Sequence, residues 1–159
     1  MKKGTPARRP VSRRSFSAAS LAGTYAFRFS GFSMLALSPP PPPPVPYYLV
    51  GVGLITLRRD GTLVGQQTSS TTPMAGNQAA ILVCNYTLDG TVAVNPNGTG
   101  TASITFTPSS SSSDCAQEEG TFSLVVAGSN SIWLISTGAT LPDGSSADEV
   151  VQIEAVRIS

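Results

Sequence analysis

Eight segments rich in Val, Ile, Thr, Tyr and Phe run along the chain, and the connectors between them alternate between tight and long. The segments are roughly 23–33, 47–58, 62–70, 80–94, 99–107, 120–127, 131–138 and 147–158. Several alternate with period two, so that Tyr25, Phe27 and Phe29 share a face, as do Ala102, Ile104 and Phe106, and Phe122, Leu124 and Val126. That is the signature of a strand with one buried face. No window of a dozen residues carries a capped 3.6-residue period, although a short helix near Met74–Val83 stays open. Connectors two, four and six are hairpin turns. Arg58-Arg59-Asp60-Gly61 and Asn95-Pro96-Asn97-Gly98 fit type I turns closing on a glycine, and Gly128-Ser129-Asn130 closes the third. Such turns pair Leu57 with Leu63, Ile55 with Gly65, Val92 with Ala102 and Leu88 with Phe106. Connectors one, three, five and seven are long. In an up-and-down array the odd connectors all lie at one end. The pattern therefore implies an all-β fold, an eight-stranded antiparallel up-and-down β-barrel with one plain rim and one elaborated rim. A β-sandwich is the alternative, because sheet closure is not written in the sequence.

Charge divides the chain. Residues 1–20 hold Lys2, Lys3, Arg8, Arg9, Arg13 and Arg14 and no acid, and read as a disordered basic arm. Residues 21–159 form the barrel domain, with four arginines against nine acids, net −5. Ser12-Arg13-Arg14-Ser15-Phe16 has the core of a twin-arginine export signal, but Arg28 interrupts the apolar run behind it. Localisation is left between cytoplasmic and exported. The body lacks a basic patch, so no nucleic-acid partner is expected. No apolar run reaches the length of a membrane-spanning helix. The chain has no histidine and two cysteines. That excludes a Ser-His-Asp triad, a His-ligated metal and a four-thiolate site, and no metal or cofactor is expected. Whether the chain is an enzyme is not decided by these residues.

Three constellations are candidates. Tyr25, Phe27, Tyr47, Tyr86, Phe106, Phe122 and Trp133 could line a lumen or mouth that takes a small apolar molecule, or could simply fill the core. Arg28 and Glu154, isolated charges in the first and last strands, become neighbours when the barrel closes. They are then a lumen pair or an outer bridge, and the parity of Arg28 against Tyr25 and Phe27 favours the outside. Cys84 and Cys115 both fall at the long-loop end, where a bridge is geometrically feasible. Glu118, Glu119, Asp148 and Glu149 could gather there too, with solvated loop charges as the default reading. The six prolines Pro39–Pro44 form a stiff polyproline rod on that rim. Segments two and seven are apolar on both faces, Val50, Val52 and Leu54 in one and Trp133 and Ile135 in the other, which points to a homo-oligomer.

The stretches Gly23-Thr24-Tyr25-Ala26-Phe27, Gly51-Val52-Gly53-Leu54-Ile55-Thr56 and Asn95-Pro96-Asn97-Gly98-Thr99-Gly100-Thr101 carry a resemblance. The chain resembles uncharacterised bacterial small β-barrel proteins over most of residues 21–158. Its layout is similar to allene-oxide-cyclase-type and lipocalin-like barrels, with Gly23-Thr24-Tyr25 standing where lipocalins have Gly-x-Trp. The resemblance implies a barrel with an apolar lumen. No catalytic signature of the cyclases maps onto residues here. Three functions follow: a binder of a small apolar ligand at the long-loop mouth, a lumen cyclase or isomerase acting by confinement, or a structural or surface-interaction protein with a filled core.

Overall fold

The computed structural model describes residues 15–34, 46–74, 81–109, 115–144 and 146–159. A four-residue helix, α1 (Ala18–Leu21), precedes eight strands: β1 (Gly23–Met34), β2 (Pro46–Leu57), β3 (Thr62–Pro73), β4 (Leu82–Val94), β5 (Thr99–Pro108), β6 (Glu118–Val126), β7 (Ser131–Thr140) and β8 (Ser146–Arg157). Each strand pairs antiparallel with the next, and β8 returns to β1, closing the barrel. Closure removes both sheet edges, so the β-sandwich is set aside. The register is the one the turns dictate: Leu57 faces Leu63, Ile55 faces Gly65, Val92 faces Ala102 and Leu88 faces Phe106. Gly61 and Gly98 each take φ near +87°, the left-handed position that ends these turns and that a side chain would strain. Asp60 and Asn97 brace the same turns by accepting from the backbone N–H of Thr62 and Thr99.

One end of the barrel is closed. Residues 15–20, read from sequence as the last part of a disordered arm, are instead ordered. Residues 1–14 lie outside the described residues. Ser17 and Ser20 form a reciprocal capping box that starts α1. Phe16 donates its N–H to the Pro96 carbonyl in the β4–β5 turn, and Leu21 is buried against the core. Tyr25, 1% exposed, donates its hydroxyl to the Leu21 carbonyl at 2.6 Å. The Arg157 guanidinium lies over the Tyr25 ring, 5.6 Å from its centroid, and donates to the Ala22 carbonyl. This helix, ring and guanidinium seal the tight-turn end. Leu57, Leu63, Leu88, Leu124, Leu134 and Ala155 belong to the buried core.

The outer wall has two characters. Over β3 to β6 it is largely hydroxylated, with Thr68, Thr87, Thr91, Thr101, Thr107 and Ser123 exposed. Over β7, β8, β1 and β2 it presents Trp133, Ile135, Val150, Val156, Phe32, Tyr48, Val50, Val52 and Leu54 to the outside. The Pro39–Pro44 run lies outside the described residues, as do residues 75–80 of the segment where a short helix was left open; from Leu82 that segment is strand.

Candidate functional site

The long-loop end is not fully packed. A cavity of about 70 Å³ opens there. Phe29 and Leu49 from β1 and β2, Phe106 and Phe122 from β5 and β6, and Val151 and Ile153 from β8 form its apolar lining. Gln67, Ser69 and Thr71 of β3, Tyr86 of β4, Glu118 of β6 and Glu149 of β8 supply polar groups. The volume exceeds what one water needs but falls short of the roughly 150 Å³ that holds benzene in a dry engineered cavity.

Strand parity explains why two acids point inward. Glu118 is two and four residues ahead of Gly120 and Phe122, and Glu149 stands in the same relation to Val151 and Ile153. With period two, all share the inner face. Burial raises the proton affinity of the Glu118 carboxyl. Glu149 is pushed up to about 7, first by burial and then by the Glu118 charge, against an opposing hydrogen bond from Ser136. Tyr86 is pushed up to about 12 by burial and, secondarily, by Glu118. The three groups thus share one electrostatic field. No described cation faces the cavity. Arg28 is on the outer wall, Arg58 and Arg59 lie at the far turn, and Arg157 is in the closed end.

The aromatic candidates separate by position. Tyr86, Phe106 and Phe122 line the cavity, with ring centroids 6.3 Å and 6.4 Å apart in edge contacts. Phe27 points inward but lies below the cavity, stacked on Phe29 at 6.4 Å. Tyr25 also points inward, but it belongs to the seal at the opposite end, so it is not a mouth residue. Tyr47 is half-buried on the inward side of β2 near the rim, outside the cavity lining. Trp133 is corrected outright. It is 48% exposed on the outer wall, because Ile132 and Leu134 take the inward positions of β7. Both faces of that strand are apolar, so alternation alone does not orient it.

Arg28 and Glu154 face each other in register, with the guanidinium donating twice to one carboxylate oxygen, at 2.8 Å and 3.0 Å. The pair lies outside the barrel, with side chains 78% and 36% exposed, and has no part in the cavity. Cys84 and Cys115 are joined by a disulfide with Cα atoms 5.8 Å apart. It ties the approach to β6, and hence Glu118, to β4 at the rim. Among the described residues no three potential ligands group as a metal site.

No family model matches the chain, and no curated protein matches it. Two solved barrels are similar in shape. A redesigned β-barrel is 13% identical, covers 93% of this chain and 98% of its own, and superposes with a TM-score of 0.49. EF1p2_mFAP2b, solved bound to DFHBI, is 11% identical, covers 92% of this chain and 99% of its own, with a TM-score of 0.48. The eight-stranded architecture of the present chain stands on its own strand pairing.

Proposed function

We propose that this protein binds a small molecule with an apolar body at the long-loop mouth of the barrel. The observation that carries the reading is the asymmetry of the lumen. One end is sealed by α1, Tyr25 and Arg157, while the other holds a cavity with ring and aliphatic walls and a few convergent polar groups. That combination is what small-molecule sites share. A wholly filled core fits this cavity poorly. The lumen isomerase reading keeps one point of support, the Glu149 carboxyl in the mouth, which burial pushes up to about 7. The Cys84–Cys115 bridge suits an oxidising compartment. The test is chemical-shift mapping with a fragment library. Shifts clustered on Phe29, Phe106 and Phe122 support the site, and a Ser69→Leu variant that fills the mouth should abolish them. Shifts confined to the outer wall would overturn it.

A second copy of the chain covers the apolar half of the outer wall. Eleven exposed apolar side chains on and just after four adjacent strands offer on the order of 1,000 Å², comparable with the roughly 800 Å² each partner gives a stable complex. The hydroxylated half faces away, so association through this wall closes at two copies. Sedimentation should find a dimer that Val52→Lys with Val150→Lys converts to a monomer of unchanged fold. A wild-type monomer at high micromolar concentration, or a wall covered by residues 1–14 of the same chain, would refute it.

A further inference from the structure

We infer that the mouth selects an organic cation, an ammonium head on an apolar body, held between the carboxylates of Glu118 and Glu149. This rests on the small-molecule-binding reading and names its ligand class. The first ground is charge balance. Two inward acids from β6 and β8 enter one partly buried space, and no described cation faces them. Buried charge is costly until it is paired, so a cationic guest gains what a neutral one forgoes. An anion is repelled.

The second ground is independent of the acids. Tyr86 is 7% exposed and lines the same cavity, yet its hydroxyl has no hydrogen-bond partner among the described residues. Its oxygen opens on the cavity space and is not sealed in packed protein. Its oxygen is free to accept from an ammonium N–H. The third ground is the ring wall. Phe29, Phe106 and Phe122 turn aromatic surface to the space, and a desolvated cation gains from ring faces. A bare divalent ion fits less well, since it needs six or more oxygens and the described residues gather no three metal ligands. The aliphatic walls, Leu49, Val151 and Ile153, suit a carbon chain.

Proton competition follows. The groups facing Glu149 are Glu118 from β6, Ser136 from β7 and Ser33 of β1, with Tyr86 across the cavity on β4. None supplies positive charge. Protonating Glu149 removes half of the negative pair, so affinity for a cation should rise as pH rises through neutrality.

The experiment is calorimetry with a matched set: hexylammonium, hexanol and hexanoate, plus calcium chloride, on the full chain at about pH 8 and about pH 5. Hexylammonium should bind at least about tenfold more tightly than hexanol at the higher pH, and most of that preference should vanish at the lower one. Glu149→Gln and Glu118→Gln, both near-isosteric, should each reduce hexylammonium affinity by a clearly larger factor than hexanol affinity. Hexanol binding as tightly as hexylammonium in the mouth would overturn the cation reading and leave the binding reading standing. Failure of all three organic probes would overturn both. Calcium displacing hexylammonium one for one would make the site a metal site and overturn the inference.

Discussion

Replacing Glu149 by glutamine should stabilise the barrel above neutral pH and leave its stability unchanged in acid. The Glu149 carboxyl holds its proton up to about pH 7 in the folded chain, because burial and the Glu118 charge both disfavour ionisation. In the unfolded chain a glutamate ionises near 4.3. Between those values the folded state binds more protons than the unfolded state, so stability falls as pH rises. The full gap corresponds to about 4 kcal/mol at about 1.4 kcal/mol per unit, and partial solvation of the mouth reduces this to ~2–3 kcal/mol. Glutamine keeps the shape and cannot ionise. In urea titrations from about pH 4 to pH 8.5, wild type should lose stability between roughly pH 4.5 and 7, while Glu149→Gln loses markedly less across that window, the remainder coming from the buried Glu118 carboxyl. At pH 8 the variant should melt roughly 5–10 °C higher, given a domain of this size. Parallel pH profiles, or a wild type that gains stability across the window, would refute an inward, desolvated Glu149.

Three further outcomes are expected. Reducing the Cys84–Cys115 disulfide, which spans 31 residues, should cost about 3–4 kcal/mol in urea titrations by the loop-entropy relation. Arg28→Ala should change stability by less than about 1 kcal/mol in thermal melts, because the bridge to Glu154 is on the exposed outer wall. Tyr25→Phe should lower stability by about 1–2 kcal/mol, as it leaves the buried Leu21 carbonyl without its 2.6 Å partner. The same variant should leave ligand binding at the mouth unaffected, since Tyr25 lies at the other end.

The turns made most of the fold legible. Asp60-Gly61 and Asn97-Gly98 admit few hairpin geometries, and the resulting register puts Leu57 on Leu63 and Val92 on Ala102, which keeps the inner face apolar. The site was less legible because strand ends are weakly signalled. Glu118 sat in what read as a loop, since β6 was expected to begin at residue 120. Glu149 fell just inside its expected strand, but its charge suggested a solvated rim. Extending the parity of Gly120-Phe122-Leu124 and Val151-Ile153-Ala155 backwards by one step would have turned both acids inward. Helix α1 escaped notice because four residues cannot display a helical period. Its one local signal is Ser17 with Ser20, three positions apart. Trp133 was unreadable for another reason: Ile132, Trp133, Leu134 and Ile135 offer two apolar faces, and only the pairing of β7 with its neighbours decides between them.

Two carboxyls, Glu118 and Glu149, share one partly buried space at the open rim. The direct measurement is a carbon-detected NMR titration of the glutamate side chains, with and without hexylammonium. Glu149 should titrate near pH 7 in the free protein, and hexylammonium should shift the Glu118 and Glu149 carboxyl signals together while lowering that midpoint. Ordinary titration of both groups near the solvent value, with no response to hexylammonium, would contradict it.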